Sequence, residues 1–386
     1  MNSLWLLLLP VAATFGWASA RRNAHSKGVN DKQTRSYLNS LNLLLNQEPD
    51  KAVDSFIKGL DVDTDTIETH LALGNLYRRR GEMSRAIRIH QNLIARPQLQ
   101  LEHRNDALLA LARDYLSAGV LDRAENLFKE LLDLGEHTEP SLRALLYIYQ
   151  QEKDWRRALL TAQKIAAEAK HNVQTELGQF NCELAEITLS QKDYLQTVRY
   201  AKQALTSNRD CVRASLLLGQ MEIRLKKYER AALHLQRVQK QNADYLLCAI
   251  PWLIKAYRAM DKKAELINVL KALLASQPNL PIIMDVSALI QEEDSDQAAL
   301  SFVAEHVKAH PSLVGLHDLV GLRLLAKRAD ARDDLDILKQ LTDRLLKEQN
   351  SYRCVNCGFA GHTLHWHCPS CKQWETTKPA YLTQDV

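Results

Sequence analysis

The chain has 386 residues, and its 50 Lys and Arg residues nearly balance its 46 Asp and Glu residues, which gives a net charge of +4. This balance excludes a polybasic nucleic-acid arm or an acidic tail as the main feature of the chain. The 13 Gly and 10 Pro residues are too few to supply the turns of a large β-sandwich or barrel, since average usage would give about 27 Gly. The composition therefore predicts a mostly helical protein, and the length predicts several domains or an elongated array.

The first predicted element is the apolar run over residues 4–20, LWLLLLPVAATFGWASA, which contains no charge. Its length is near the lower limit for a helix that spans a bilayer. Arg21 and Arg22 follow the run, and the positive-inside rule therefore places the rest of the chain in the cytoplasm. We predict an uncleaved, single-pass membrane anchor over residues 1–22. A signal peptide cleaved after residues 18–20 is the alternative, and the absence of a basic residue before the run disfavours it.

The middle of the chain, residues 23–348, is predicted to be a tandem array of helical hairpins. A small or apolar residue recurs at the same place in successive segments, at steps of 34 to 39 residues. The commonest step, 34 residues, is the period of tetratricopeptide repeats. We expect an all-α solenoid of about eight hairpins, which must stack because neither helix of a hairpin can bury its apolar stripe alone. The recurring residues are Ala52, Ala86, Ala124, Ala158, Thr197, Ala231 and Leu266.

Two details of the array concern its packing. Gly74 and Gly219 are expected to let the two helices of their hairpins approach closely. The two longest steps predict extra loop residues in Arg96–Arg104 and near Ala169–Gly178, where loops absorb insertions at little cost.

The array has the sequence features of a binding protein rather than of an enzyme. It carries no phosphate-binding loop, nucleophile elbow, zinc-protease motif or dinucleotide fingerprint. One face of its successive first helices is predicted to present basic and amide side chains that could hold an acidic or extended partner segment. For the run Arg78–Arg80, dipole complementarity at a helix C-terminus is the alternative explanation. The predicted partner-binding residues are Asn75, Arg78, Arg113, Arg143, Arg213, Gln220 and Arg224.

The C-terminal residues 349–386 carry the sharpest chemical signal, two C-x-x-C knuckles separated by ten residues. Such a pair turns four thiolates toward one ion in a closed tetrahedral site, which suits zinc or iron and leaves no position for a catalytic water. A pair of disulfides is the alternative, which a cytoplasmic location disfavours, and a neighbouring histidine could in principle replace one cysteine. The predicted metal ligands are Cys354, Cys357, Cys368 and Cys371.

The metal is expected to fold this module, because about 35 residues cannot build a core unaided. Gly358 permits the unusual backbone angles after the first knuckle, and Phe359, Trp366 and Trp374 are expected to pack around the knuckles. The remaining cysteines are predicted to be buried, reduced thiols within helices: Cys182, Cys211 and Cys248.

Over essentially its full length the chain resembles the lipopolysaccharide assembly protein B family of Gram-negative bacteria. The resemblance is most specific in LLLLPVAATFGW, EPDKAVDSF, ETHLALGNLYRRRGEMSRAIRIHQNLI and YRCVNCGF…WHCPSCKQW. It implies a rubredoxin-like terminal fold with one iron or zinc ion on the four cysteines. It also implies an inner-membrane adaptor that presents the UDP-acyl-N-acetylglucosamine deacetylase of lipid A synthesis to a membrane-bound AAA+ metalloprotease. Contact with an inner-membrane lipopolysaccharide sensor protein is implied as well.

Three functions compete at this point, and a non-enzymatic adaptor leads. The runner-up is a rubredoxin-like electron-transfer protein on a repeat scaffold, against which the absence of flavin and nicotinamide motifs counts. A nucleic-acid-binding zinc ribbon is third, and the near-neutral charge argues for no nucleic-acid partner. The sequence leaves open whether the chain forms a homodimer. In the adaptor, the metal module is expected to cap the C-terminal end of the array or to add a second contact.

Overall fold

The structure, a computed structural model, describes helices and one small sheet. The described residues are 64–97, 99–168, 172–277, 281–311, 313–325, 337–343 and 351–380. The predicted anchor over residues 1–22 and the first predicted repeat, around Ala52, lie outside them. Among the described helices, none combines the length and the apolar composition that a bilayer span requires. The chain divides into two compact units, Met1–Glu152 and Lys153–Val386.

The described helices of the first unit are α1 (Thr64–Arg79), α2 (Met83–Ile94), α3 (Leu101–Ser117), α4 (Leu121–Asp133) and α5 (Thr138–Gln151). Helices that follow one another in the chain pack together, and α1 also contacts α3. The first helices of successive hairpins are therefore adjacent, which is the arrangement of a tandem helical repeat.

The described helices of the second unit are α6 (Trp155–Ala167), α7 (Gln174–Ser190), α8 (Tyr194–Ser207), α9 (Val212–Arg224), α10 (Tyr228–Gln241), α11 (Leu246–Ala259), α12 (Lys263–Ser276), α13 (Ile283–Glu293), α14 (Asp296–Ala309) and α15 (Leu313–Leu325). A 3₁₀ turn, Ala243–Tyr245, precedes α11, and residues 337–343 are also helical. The same contact pattern recurs, because α7 touches α9 and α9 touches α11 in addition to their chain neighbours.

The recurring residues of the repeat lie at the centre of the packing, as the 34-residue period predicts. Each lies on the second helix of its predicted hairpin, and its small or apolar side chain is buried there. The residues with 0% exposure are Ala86, Ala124, Ala158, Thr197, Ala231 and Leu266. This burial confirms the tetratricopeptide register over the described part of the array.

The two glycines of the repeat allow close approach of helices, as expected. A Cβ atom on Gly74 would lie 2.3 Å from Nε2 of His90, and one on Gly219 would lie 2.6 Å from the side chain of Leu235. Both distances are far below van der Waals contact, so no larger side chain fits without movement of the facing helix.

The hairpin turns use one residue with left-handed backbone angles. In the first unit this residue is Gly81 or Gly119, with φ of 82° and 75°. In the second unit Lys192 and Lys226 take the same position with φ of 63° and 59°. The next N–H then donates to a carbonyl five residues earlier, which closes the end of each first helix.

Two of the long connections lie where the sequence predicts them, and a third of equal length, between Ser276 and Ile283, was not predicted. Helix α2 ends at Ile94 and α3 begins at Leu101, while α6 ends at Ala167 and α7 begins at Gln174. The extra residues therefore fall between hairpins, outside the packed helices.

The C-terminal module adds a small antiparallel sheet to an otherwise helical chain. Its strands are β1 (Tyr352–Cys354), β2 (Ala360–Gly361) and β3 (Thr377–Pro379), in the order β2-β1-β3. In this register Cys354 pairs with Thr377.

Candidate metal centre

The first knuckle is a tight turn closed by two backbone hydrogen bonds. The N–H of Cys354 donates to the carbonyl of Phe359 (2.7 Å), and the N–H of Gly358 donates to the carbonyl of Cys354 (3.0 Å). Gly358 has φ of 77°, so the unusual backbone angles predicted at this position are confirmed.

The second knuckle repeats this geometry. The N–H of Cys368 donates to the carbonyl of Gln373 (2.9 Å), and the N–H of Lys372 donates to the carbonyl of Cys368 (3.0 Å). Lys372 has φ of 57° and thus adopts the left-handed conformation that Gly358 has in the first knuckle. The two knuckles therefore have the same backbone geometry, and each presents two cysteines.

The four sulfur atoms have the spacing of a tetrahedral metal site. All four lie within 4.8 Å of one another, and the pairs Cys354–Cys371 and Cys357–Cys368 are each 3.7 Å apart. A tetrahedron with metal–sulfur bonds of about 2.3 Å has sulfur–sulfur edges of about 3.8 Å. A disulfide would need about 2.05 Å, so the cysteines are free thiols. The geometry fits one ion held by four thiolates.

Hydrogen bonds prepare two of the sulfurs for the thiolate form that binds metal. Burial alone raises the pKa of Cys354, but hydrogen bonds from the Thr376 hydroxyl and from two N–H groups of the knuckle lower it to about 6. A hydrogen bond from the Asn356 side chain is the main cause that lowers the pKa of Cys371. Burial raises the pKa of Cys368 to about 11. Cys354 and Cys371, one from each knuckle, are therefore easier to deprotonate than Cys368.

The site is partly covered by protein. Cys354 and Cys368 are buried, Cys371 is half-buried and Cys357 is exposed. Four protein sulfurs complete a tetrahedral shell, so the arrangement is that of a structural site or of an electron carrier and offers no position for a substrate. A four-sulfur donor set suits zinc or iron.

The metal module packs against the repeats through two tryptophans. Trp374 contacts Trp155 and Phe180, with ring centroids 6.0 and 5.9 Å apart. Trp366 lies against Tyr245, with ring centroids 5.0 Å apart. Trp374 also stacks on His367, the residue before Cys368, with ring centroids 4.4 Å apart. The predicted packing around the knuckles is therefore confirmed for Trp374, and the contacts of both tryptophans with the helices are additional to it. Phe359 does stay within the module.

Polar contacts complete this docking surface. The Tyr245 hydroxyl donates to the carbonyl of Glu375 (2.9 Å) and is shared with that of Thr377 (3.2 Å). The Gln179 amide donates to the Glu375 carboxylate (2.6 Å), and Lys378 forms an ion pair with the side chain of Asp244. The Tyr245 hydroxyl stays protonated and able to donate, because burial raises its pKa.

The position of the module differs from the sequence-based expectation. Its described contacts involve α6, α7, α9, the turn before α11 and α11 itself, in the N-terminal half of the second unit. The expectation that it caps the C-terminal end of the array is wrong, because the aromatic side chains that accommodate Trp366 and Trp374 belong to these earlier repeats.

One predicted partner-binding residue, Arg213, belongs to this docking surface. Its side chain is 4% exposed and forms ion pairs with Glu183 (2.9 Å) and Glu186 (2.7 Å). It also donates to Gln179 (3.1 Å), and its guanidinium lies 6.0 Å from the ring of Trp366. The prediction that Arg213 lies on an exposed binding face is therefore wrong, because two carboxylates and the metal module already surround it.

The other predicted partner-binding residues are divided between the two units. In the first unit, Arg78 is bound to the buried carboxylate of Asp114 (3.0 Å), while Asn75 is half-buried and Arg113 is exposed. The positive charge of Arg78 contributes, after burial, to lowering the pKa of Arg113, so the two guanidinium groups repel each other. Arg143 is exposed and pairs with a neighbouring glutamate on the same helix.

In the second unit, Gln220 is half-buried and Arg224 is exposed. The guanidinium of Arg224 lies 5.9 Å from the ring centroid of Tyr194. These residues stay candidates for partner contact, with the first-unit pair Arg78 and Arg113 forming the denser basic cluster.

The docking residues Trp155, Gln179 and Tyr245 were not predicted from the sequence. They lie within ordinary helical patterns and have no motif of their own. The sequence feature that could have predicted docking lies in the module. Trp366 and Trp374 supply more apolar surface than two short knuckles can bury, so a partner surface is needed.

Comparison with known proteins supports both parts of the chain. Residues 352–379 match a family described as rubredoxin metal binding domain, and residues 182–245 and 69–102 match tetratricopeptide repeat families. The chain is 34% identical to lipopolysaccharide assembly protein B of Escherichia coli strain K12 over 382 residues, 98% of each chain. It is also 34% identical to the protein of that name from Haemophilus influenzae over 392 residues, again 98% of each. Among solved structures it is similar to a tetratricopeptide repeat protein of Parabacteroides merdae, with 14% identity, a TM-score of 0.32, and coverage of 72% and 99% of the two chains.

Proposed function

The chain belongs to the lipopolysaccharide assembly protein B family, and we propose on this basis that it is a non-enzymatic adaptor that regulates lipopolysaccharide assembly. The observation that carries the proposal is the similarity over 98% of both chains, which includes the repeats and the four-cysteine module. Tandem helical repeats are binding scaffolds, and a closed four-sulfur site adds stability instead of substrate chemistry.

In this proposal the adaptor presents the lipid A pathway deacetylase to the membrane-bound AAA+ metalloprotease for degradation, and it also contacts an inner-membrane lipopolysaccharide sensor protein. Residues 1–22 hold the array at the inner membrane, with the bulk of the chain on the cytoplasmic side. Such a tether raises the effective concentration of the array toward membrane-bound partners without any new contact.

The first-unit cluster of Arg78 and Arg113 is the proposed contact for an acidic partner segment. Arg113 is the cleaner probe because it is exposed and no carboxylate among the described residues pairs with it. Two guanidinium groups close together repel each other, and a carboxylate that binds between them relieves this repulsion.

The test compares the cellular half-life of the deacetylase in strains that carry the wild-type chain, no chain, or the variant Arg113→Glu. Arg156→Glu is the matched control, because Arg156 is an equally exposed arginine on the second helix of its hairpin. We expect the deletion and Arg113→Glu to lengthen the half-life and Arg156→Glu to leave it unchanged. An unchanged half-life in the deletion strain would refute the adaptor function, whereas an unchanged half-life in Arg113→Glu alone would refute this contact.

Metal replacement separates the adaptor from an electron carrier. Zinc has no redox chemistry, so a chain loaded only with zinc keeps an adaptor function and loses an electron-transfer function. We expect the zinc-loaded chain to bind the deacetylase with the same affinity as the chain with its native ion.

A further inference from the structure

Tyr245 is hydrogen-bonded to the backbone on both sides of Thr376, a residue that contacts the metal ligand Cys354. Its hydroxyl lies 2.9 Å from the carbonyl oxygen of Glu375 and 3.2 Å from that of Thr377. The residue between them, Thr376, has its hydroxyl 3.3 Å from Sγ of Cys354. Tyr245, a residue of the repeats, is therefore linked to the metal ligand Cys354 through the short segment 375–377.

The same short segment is part of the wall of the metal site. The carbonyl of Thr376 accepts from the N–H of Val355 (2.8 Å), which lies within the first knuckle. Thr377 pairs with Cys354 across strands β3 and β1. Movement of residues 375–377 would therefore displace Cys354 relative to the other three sulfurs.

Tyr245 is itself held firmly by the repeat array. It is 1% exposed and ends the 3₁₀ turn that leads into α11, where Asn242 accepts a hydrogen bond from the N–H of Asp244 (3.1 Å). Its ring packs on Trp366 of the module. The hydroxyl is thus a fixed point to which the module segment is attached.

We infer that Tyr245, a residue of the repeat array outside the ligand set, is a positioning residue of the metal site and acts through the carbonyl oxygens of Glu375 and Thr377. Binding free energies are reciprocal. Docking on Tyr245 therefore raises the affinity of the four cysteines for metal, and bound metal raises the affinity of the module for its docking surface by the same factor. The inference goes beyond the adaptor function and does not depend on it.

The test measures the affinity of the purified full chain for Zn(II) by competition with a chromophoric chelator. Tyr245→Phe keeps the ring and removes the hydroxyl. Tyr257→Phe is the matched control, because Tyr257 is a buried tyrosine of α11 whose hydroxyl accepts a hydrogen bond from Gln236 (2.8 Å).

We expect Tyr245→Phe to weaken Zn(II) binding about tenfold, since one or two hydrogen bonds of about 1 kcal/mol are lost, and to speed Zn(II) release. Tyr257→Phe should lower the stability of the helices without changing the affinity for Zn(II). Equal Zn(II) affinity in the two variants would overturn the inference, because Tyr245 would then be structural only.

A second measurement uses the wild-type chain and remains valid if Tyr245→Phe folds poorly. Cys248 of α11 is hydrogen-bonded to Tyr352 of the module, so its alkylation rate reports docking. Cys182 and Cys211, each 0% exposed in the array, report whether the repeats stay folded. We expect removal of Zn(II) to speed alkylation of Cys248 several-fold while Cys182 and Cys211 stay protected. Equal protection of Cys248 with and without Zn(II) would show that docking does not depend on metal and would overturn the inference.

Discussion

Asp114 shows how a single buried charge organises the first unit. Its carboxylate is 0% exposed and accepts from Nη1 of Arg78 (3.0 Å) and from Nδ1 of His90 (2.5 Å). Arg78 lies on α1, His90 on α2 and Asp114 on α3, so the cluster joins three helices of successive hairpins. A buried carboxylate is tolerated only with such partners.

Arg78→Glu should therefore lower the free energy of unfolding of the first unit by about 3 kcal/mol or more, because it leaves Asp114 facing a second carboxylate. Arg113→Glu, at the exposed position just before Asp114 on α3, should change it by less than about 0.5 kcal/mol. Chemical denaturation followed by helical circular dichroism measures both. Equal stability of the two variants would show that the buried ion pair contributes little.

Glu375 introduces a pH dependence into docking. Burial is the main cause that raises the pKa of its carboxyl above the ordinary value, and the Gln179 hydrogen bond offsets this in part. The docked state thus binds the proton more tightly than the undocked state. The protonated Glu375 carboxyl therefore stabilises docking. This stabilisation is fully present below the ordinary glutamate pKa and is lost as pH rises through the raised pKa.

Glu375→Gln removes this dependence and keeps an oxygen that can accept from Gln179. We expect the variant to be as stable as the wild type at the acidic end of the range and more stable near pH 7. The measured quantity is the difference in melting temperature between the zinc-loaded chains, in which metal release at low pH largely cancels. A difference that is constant over pH would contradict the raised pKa.

At the scale of the element, the glycines on the first helices set the distance between the helices of a hairpin. Gly74→Ala would place a methyl group 2.3 Å from the His90 ring and push His90 away from Asp114. We expect a loss of about 1–3 kcal/mol in the free energy of unfolding, as is usual for overpacking.

Gly321→Ala is the matched control for this prediction. Gly321 also lies within a helix, α15, but a Cβ atom there would meet nothing within 4 Å. Alanine should therefore stabilise that helix by about 0.5–1 kcal/mol through its higher helix propensity. Thermal melts of both variants decide the matter, and a neutral Gly74→Ala would mean that the hairpin can widen freely.

The repeats were predictable from the sequence because every hairpin must bury the same positions. A residue such as Ala86 or Ala231 recurs at a fixed spacing whatever its neighbours are, and the four ligands recur at knuckle spacing for the same local reason. The docking of the module was not predictable. Gln179 and Glu375 are 196 positions apart in the chain, and a contact between such distant residues produces no period and no motif.

At the scale of the molecule, the metal module is part of the second unit and not a separate appendage. Trp374 lies edge-on to the stacked rings of Trp155 on α6 and Phe180 on α7. Trp366 is one of the partly buried residues that pack against a cluster of buried apolar side chains reaching from α9 to α14. The predicted boundary at residue 349 thus divides the sequence motif from the repeats without dividing the folded unit.

Loss of the metal should consequently destabilise the ends of the repeat helices that contact the module. Binding of a structural ion by thiolates stabilises small modules by about 10 kcal/mol or more, and without it the segment that carries Trp366 and Trp374 loses the fold that presents these side chains to the helices. We expect Cys354→Ser and Cys371→Ser each to lose the ion and to keep most of the helical signal, since the described helices lie outside residues 351–380.

Hydrogen exchange should then quicken at the N-terminal ends of α7 and α11, which contact the module, and stay unchanged in α1–α4 of the first unit. Cys182→Ala is the control, because it removes a buried cysteine that is not a predicted ligand and should keep one ion per chain. Metal analysis together with exchange mass spectrometry separates the outcomes. If both serine variants retained one tightly bound ion, the four-cysteine assignment would be wrong. If they lost the ion while exchange in α7 and α11 stayed slow, the module would be held by its tryptophans alone, because burial of two indole rings would then suffice without the metal.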